Sequence, residues 1–219
     1  MKLMLNYLYA HFVEEQDFAA INGITRGDLT ALIDARVFPA PSYIYTGKGR
    51  LVSFVSNVTD GHEYRFHLKG HSVWLETVQD FALKSEDHAR AHFFERYDKA
   101  KHAFFASALG QQLSNLAPDV QNHFDSTHAH ATWAHFLNGV YGVCTRDGQP
   151  DSVFKKQAYV MFIEHMIAGG LTSSTRPQLE ILERAVDALD KVESDFAPHE
   201  VSDTSRQRCI IDVRAAFQR

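Results

Sequence analysis

The spacing of apolar residues predicts three short helices at the start of the chain. Residues 5–12 place their apolar side chains at helical spacing, and a second helix is predicted from 16 to 21, before an Asn-Gly pair turns the chain. Thr25 can cap a third helix, because its hydroxyl can accept a hydrogen bond from a backbone N–H of the first turn. Pro39 ends that helix, since the residue before a proline favours extended geometry.

Three strand-like runs follow these helices, at 43–45, 51–55 and 64–68. The Asp-Gly pair at 60–61 is a frequent two-residue hairpin turn and predicts a turn at that point. Two helices joined by a short turn and followed by a hairpin have the layout of a winged helix-turn-helix. The first 70 residues therefore resemble, in layout, the head of MerR-type regulators.

Beyond residue 71 the apolar pattern is helical almost throughout. Ser85 is predicted to cap a long helix that ends near Gly110, and the apolar spacing from 133 to 141 predicts a helix that Gly142 ends. The run from 158 to 167 is apolar on nearly all sides. Such a helix has to be buried, which predicts that it is the central one of a bundle.

Two more helices complete the predicted bundle, one beginning after Thr175 and one running from about 204 to 217. The predicted fold is mainly α. Residues 1–70 form a winged helix-turn-helix-like head with a small β-hairpin or sheet, and residues 71–219 form an α-helical bundle domain.

Composition and charge restrict the class of protein. With 219 residues, 45% of them hydrophobic, the chain can bury a sizeable core. The 22 Lys and Arg residues against 27 Asp and Glu disfavour a surface that binds nucleic acid everywhere, although a local basic patch is compatible with this total. Two cysteines without metal-site or disulfide spacing predict a cytoplasmic protein, and no apolar run reaches the roughly 18 residues of a membrane span.

The run "FAPHEVSDTSRQRCIIDVR", at 196–214, carries an unusual density of polar chemistry. Arg206 and Arg208 lie in the first turns of the last predicted helix, where the helix dipole already makes the backbone positive. A carboxylate or phosphate bound there, with Ser205 and the two arginines, would relieve this. Pro198 holds His199 and Glu200 on a constrained loop before the helix. The structural alternative is that an internal acid pairs with Arg206.

Three segments carry a resemblance to a known family: "WAHFLNGVYGVCTR" at 133–146, a lysine-bearing helix at 152–167, and "LDKVESDFAPHEVSDTSRQRCIIDVR" at 189–214. They resemble the bacterial family known as domain of unknown function 6058, whose members are described as natural-product biosynthesis proteins. The resemblance implies no catalytic roles. It directs attention to Tyr141, Gly142, Cys144, Lys156, His199, Glu200, Arg206 and Arg208.

Four of these residues are the candidates for catalysis: Cys144, Lys156, His199 and Glu200. Cys144 can act as a nucleophile if an imidazole such as His135 or His199 lies within hydrogen-bond reach, and Lys156 can form a Schiff base if burial lowers its pKa. The common alternatives are a packed cysteine and a solvated lysine. Tyr141, Ser205, Arg206 and Arg208 are the candidates for substrate binding.

Histidines at helical spacing offer a metal site. His88 and His92 stand at i and i+4 and can hold one ion, but they lie opposite the apolar face of their helix, so that a solvated histidine-rich face is the simpler interpretation. The sequence identifies no cofactor.

Three functional interpretations remain. The first is a small helical protein of bacterial specialised metabolism that binds an anionic small molecule near the start of the last helix, as an enzyme or an accessory protein. The second is a MerR-like DNA-binding regulator with a ligand-sensing bundle, although its candidate recognition helix carries no net positive charge. The third is a non-catalytic scaffold. A homodimer is compatible with all three, and catalysis is left open.

Overall fold

The N-terminal part of the chain combines short helices with one antiparallel sheet. A computed structural model describes residues 2–124, 126–171 and 174–217. The first elements are α1 (Lys2–His11), β1 (Phe12–Glu14), α2 (Glu15–Ile21), α3 (Arg26–Asp34), β2 (Tyr43–Val52) and β3 (Asn57–Leu68).

The described chain beyond the sheet is helical. Its elements are α4 (His71–Asp80), α5 (Glu86–Ala106), α6 (Ala108–Leu116), α7 (Pro118–Asn122), α8 (Ser126–Leu137), α9 (Val140–Cys144), α10 (Pro150–Ala168), α11 (Arg176–Val192), a 3₁₀ turn (Val201–Asp203), a π-helix (Arg206–Ile211) and α12 (Asp212–Phe217). The mainly helical fold with a small antiparallel sheet is confirmed. Within the described residues, no helix is long and apolar enough to cross a bilayer.

Side-chain caps begin two helices where the sequence predicts them. At α3, the Thr25 hydroxyl accepts from the Asp28 N–H (3.1 Å) and the Asp28 carboxylate accepts from the Thr25 N–H (3.0 Å), a reciprocal capping box. At α5, the Ser85 hydroxyl accepts from the His88 N–H (3.4 Å). These starts are local in sequence, which is why the pattern alone identifies them.

The sheet has the strand order β1-β3-β2, with both pairings antiparallel. The predicted turn at 60–61 is wrong, because Gly61 lies within β3 opposite Lys48. The turn lies at 53–56, where the Ser53 hydroxyl accepts from the backbone N–H groups of Val55 (3.2 Å) and Ser56 (3.1 Å). A serine turn with long paired strands on both sides therefore prevails over the Asp-Gly preference.

The predicted end of the helix before Gly142 is also wrong. α8 ends at Leu137, and Gly139 then adopts a left-handed φ of +72° before α9 begins. A Cβ on Gly139 would lie 2.6 Å from the carbonyl oxygen of Ala40, so glycine is required both for its φ and for this close approach. Gly142 lies inside α9.

The long helix ends earlier than predicted, at Ala106 rather than near Gly110. Ser107 follows it in extended geometry and its hydroxyl accepts from the Gly110 N–H (3.0 Å), which starts α6. A Cβ on Gly110 would lie 1.9 Å from the Phe104 carbonyl oxygen. Gly110 thus permits a tight junction between α5 and α6 and does not end α5.

The main core surrounds α10, as its apolar sequence predicts. Val153, Phe154, Phe162 and Ile163 of α10 are fully buried, and α10 packs between α5 and α11. Burial of one such side chain contributes about 1.5–3 kcal/mol. The same core continues into the N-terminal part through a set of buried side chains: Phe18, Leu29, Val37 and Phe38.

A second, smaller cluster joins the sheet to the tail of the chain. Tyr7, Phe12, Phe66 and Leu68 pack together there with Ala197, which comes from the loop after α11. The tail loop is therefore anchored on the N-terminal sheet as well as on the bundle. The division into domains at residue 70 stays a prediction.

Candidate functional site

A short antiparallel contact brings the segment after α9 against the start of the tail loop. Thr145 and Glu193 form an isolated β-bridge, the Arg146 N–H donates to the Val192 carbonyl (2.9 Å), and the Ser194 N–H donates to the Cys144 carbonyl (3.3 Å). This contact places Cys144 and the tail loop, which are about 50 residues apart in sequence, side by side. Two of the segments that carry the family resemblance meet here.

Arg206 is compensated from within the protein. Its Nη2 lies 2.9 Å from Asp190 Oδ1 and 3.2 Å from Asp195 Oδ1, and its Nη1 donates to the Ser194 carbonyl (3.3 Å). The side chain is only 17% exposed. Asp190 belongs to α11 and Asp195 to the tail loop, so this geometry matches the structural alternative, in which an internal acid pairs with Arg206.

The neighbouring arginines are paired in the same way. Arg208 binds Glu164 (3.0 Å), and Arg214 binds Asp187 (2.7 Å) and Asp190 (2.8 Å). Burial raises the pKa of Asp190, but the hydrogen bond and charge of Arg214 and the charge of Arg206 outweigh it and lower that pKa below its usual range. The expectation that these arginines lack a partner is corrected, and their assignment to substrate binding stays a prediction.

Glu193 is the centre of a buried polar cluster that sequence reasoning missed. Its carboxylate is fully buried, accepts from the Ser205 hydroxyl (2.5 Å) and lies 3.8 Å from Lys156 Nζ. Glu193 Oε2 has no hydrogen-bond partner among the described residues. Burial raises the pKa of Glu193, while Ser205, Lys156 and Arg206 oppose the rise. The one available signal was its position within the family-like run at 189–214.

The cluster explains where two sequence candidates are placed. Ser205 does not cap the last helix through its side chain, because its hydroxyl is committed to Glu193. Lys156 faces the same carboxylate and is 16% exposed, so it is not the solvated lysine of the simpler interpretation. The π-helix begins directly after Ser205, and π-helical turns are rare and frequent near functional sites.

Cys144 and Tyr141 lie on α9 beside this cluster. Burial raises the pKa of the Cys144 thiol, with Lys156 opposing and Glu193 adding to the rise, and a raised pKa reduces the reactive thiolate. The Tyr141 hydroxyl is buried and accepts from Gln157 Nε2 (2.7 Å), and burial raises its pKa. The roles of both residues stay predictions.

Glu200 ties the tail loop to the sheet. The Tyr43 hydroxyl of β2 donates to Glu200 Oε2 (2.6 Å), and Tyr7 of α1 packs edge-on against the Tyr43 ring at 6.2 Å. Burial, together with the bond to Glu200, raises the pKa of Tyr43. His199 is 60% exposed and lies 3.9 Å from the other Glu200 oxygen. The pair proposed for catalysis thus lies at the contact between the tail loop and β2.

A small cavity of about 110 Å³ lies between the N-terminal elements and the segments joined by the β-bridge. Tyr7 and His11 of α1 line one side of it, and Arg146, Ser194 and Asp195 line the other. Arg146 is 40% exposed and shares Asp195 with Arg206, since its Nη2 lies 3.0 Å from Asp195 Oδ1. The arginine that faces a cavity is therefore Arg146, which was not among the sequence candidates.

The two candidate metal ligands are separated by their packing. His88 is exposed, whereas the His92 ring lies against Phe81 at 4.5 Å and against Trp74 at 6.2 Å. In the part of the chain that the structure describes, no group of three His, Cys, Asp or Glu side chains is arranged to hold a metal ion.

Comparison with known proteins identifies the family but no relative of known function. No curated protein and no solved structure matches the chain significantly. A family model, described as a family of unknown function (DUF6058), matches residues 89–218. The match covers α10, the Glu193 cluster and the tail loop, which include the segments that carried the resemblance. The chain therefore belongs to the DUF6058 family.

Proposed function

We propose that the protein binds a small anionic molecule, a carboxylate or a phosphate, in the cavity between α1 and the tail loop, and that Arg146 receives it. The observation that carries this proposal is the guanidinium of Arg146, which lines the cavity and keeps 40% of its side chain exposed. Arg206 and Arg208 supply the ion pairs around the site. Arg206 acts indirectly, since it holds Asp195 from the other side.

The hydrogen bonds of Arg146 leave donors for a ligand. Its Nε donates to the Asp190 carbonyl (3.2 Å), and its Nη1 and Nη2 donate to the Asp195 carboxylate (3.3 and 3.0 Å). These bonds use three of the five N–H donors of a guanidinium. Asp195 also fixes the plane of the guanidinium, so a ligand would meet an arginine that is already oriented.

The volume and position of the cavity limit the ligand. A space of about 110 Å³ corresponds to roughly four water molecules at about 30 Å³ each. It therefore suits a carboxylate, a phosphate or the anionic end of a larger molecule. His11 lines the same wall and supplies a second donor. A role in bacterial natural-product metabolism, as an enzyme or an accessory protein, rests on the family resemblance.

The experiment compares two arginines of similar exposure. Thermal melts and calorimetric titrations with acetate, citrate, phosphate and sulfate would be run on wild type, Arg146→Gln and Arg208→Gln. We expect an anion-dependent rise in melting temperature for wild type and Arg208→Gln and its loss in Arg146→Gln, because only Arg146 lines the cavity. An equal response of both variants, or none from wild type, would contradict the proposal.

The regulator is the weaker candidate, because its candidate recognition helix is electrostatically occupied. Arg26 at the start of α3 donates to the buried Glu15 (2.8 Å), and Arg36 beyond its end donates to Glu86 (2.6 Å). Neither guanidinium is free for a DNA phosphate. The observation in its favour is the exposed pair Lys48 and Arg50 on β2.

A further inference from the structure

The hairpin of β2 and β3 extends beyond the rest of the molecule. Residues 48–50, 52–59 and 61–63 are all exposed. From the pair Gly47–His62 to the pair Val52–Asn57 the hairpin spans six residues per strand, or roughly 20 Å. We call residues 47–62 the arm. A two-stranded hairpin without further packing is marginally stable in water, so this arm requires a partner to be well ordered.

The end of the arm is apolar. Phe54 is fully exposed, and its neighbours are exposed by half or more: Val52 62%, Val55 76% and Val58 51%. Scattered single apolar residues are normal on a protein surface, but a contiguous group at the end of a projecting element marks an interaction site.

A groove on the bundle has the complementary chemistry. It has a volume of about 450 Å³, lies between the end of α10 and the helices of the tail, and is lined by Ile167, Ala168, Leu171 and Val213, with Glu164 and Asp212 at its rim. A cavity of about 150 Å³ takes a benzene ring, so the groove has room for Phe54 and neighbouring valines.

The charges of the two surfaces are also complementary. The arm carries Lys48 and Arg50 against one acid in its sequence, Asp60. The rim of the groove carries Glu164 and Asp212 against one base, Arg208, which is bound to Glu164. The arm is therefore net positive and the rim net negative, which favours the approach of one to the other.

We propose that the arm of one chain docks in the groove of a second copy, and that the two copies exchange arms in a closed two-fold dimer. Each chain offers one arm and one groove, so a reciprocal exchange covers both apolar surfaces on both copies. It also doubles the buried area relative to a single contact, toward the roughly 1,200–2,000 Å² of a stable interface. This interaction is independent of the anion site.

Sedimentation velocity over a range of concentrations tests the dimer with matched variants. We expect wild type to dimerise, and Phe54→Ser to raise the dissociation constant by about tenfold or more, because a central aromatic side chain is lost. Ala168→Glu, which places a charge in the groove, is expected to have the same effect. Phe81→Ser removes another exposed phenylalanine, 63% accessible and on α4's C-terminal side, and should leave the dimer unchanged.

Cross-linking between different chains tests the docking itself. A tagged Phe54→Cys chain mixed with an untagged Ala168→Cys chain should form a disulfide-linked heterodimer, whereas Phe54→Cys mixed with Ile21→Cys, at a site also exposed, should not. A monomeric wild type, a dimer insensitive to Phe54→Ser, or equal cross-linking to Ile21→Cys would each overturn the proposal. Loss of DNA binding in Phe54→Ser from a monomeric wild type would instead assign the arm to nucleic acid.

Discussion

At the scale of single residues, the least expected feature is a set of buried polar side chains at the junction of the sheet and the bundle. His67 and His71 are almost fully buried, and His67 lies 3.5 Å from the equally buried Glu15. The Ser42 hydroxyl and His71 Nδ1 have no hydrogen-bond partner among the described residues. Sequence reasoning noted the two histidines only as straddling a junction, because burial depends on elements distant in sequence.

His71 is expected to make the protein sensitive to acid. Burial, assisted by the nearby His67, lowers the pKa of His71 from 6.5 to about 3. The unfolded chain therefore binds a proton below pH 6.5 that the folded chain refuses until about pH 3, so stability falls as pH falls through that window. We expect a loss of about 2–3 kcal/mol between pH 7.5 and pH 4.5, measured by urea unfolding.

A matched pair of variants isolates this effect. His71→Gln has no proton to gain and should flatten the dependence of unfolding free energy on pH between 7.5 and 4.5. His88→Gln, at an exposed position, should retain the wild-type slope. If His71→Gln kept the full acid-dependent loss, the cause would lie in other groups.

At the scale of elements, glycines decide how helices are joined. Gly139 and Gly23 both have a left-handed φ, +72° and +69°, but a Cβ on Gly139 would lie 2.6 Å from the Ala40 carbonyl oxygen, whereas a Cβ on Gly23 would meet nothing within 4 Å. The chain from 39 to 42 thus packs directly against the turn between α8 and α9.

These two glycines give a controlled prediction. Gly23→Ala should cost about 1 kcal/mol, the strain of a left-handed alanine alone. Gly139→Ala should cost about 2–4 kcal/mol, because the backbone around Ala40 has to move as well. Chemical denaturation of both variants measures the difference, and equal losses would show that the close approach at Gly139 carries no energetic weight.

At the scale of the whole molecule, the N-terminal elements and the bundle share one core. Phe18, Leu29, Val37 and Phe38 are buried in the cluster that includes α10, and the Trp74 indole donates to the Val37 carbonyl (2.9 Å). Four such side chains contribute about 6–12 kcal/mol, which is comparable with the total stability of about 5–15 kcal/mol expected for a folded protein.

We therefore expect a fragment of residues 71–219 to lose cooperative folding, measured by circular dichroism melts. Replacing the exposed residues 50–59 of the full chain by an Asn-Gly turn is the control, and it should leave the melt cooperative because none of the described side chains it removes is buried. A fragment with a sharp transition would instead support the division into domains at residue 70.

Much of the fold was predictable because its determinants are local. The capping residues Thr25 and Ser85, the apolar run of α10 and the apolar spacing of α1 each act within a few residues of the chain, so their pattern is visible in the sequence. The hairpin turn at 53–56 and the break at Gly139 were missed, because strand pairing and a backbone approach from residue 40 decided them.

The sequence by itself determined the fold class, the family and the density of polar groups in the tail. Only the tertiary structure decided what those groups do: it paired Arg206 with Asp190 and Asp195, buried Glu193 beside Ser205 and Lys156, and left Arg146 facing a cavity. The physical reason is that helix formation depends on neighbours in the chain. The compensation of a charge depends on neighbours in space, which α11 and the bridge at Thr145 bring together from distant parts of the sequence.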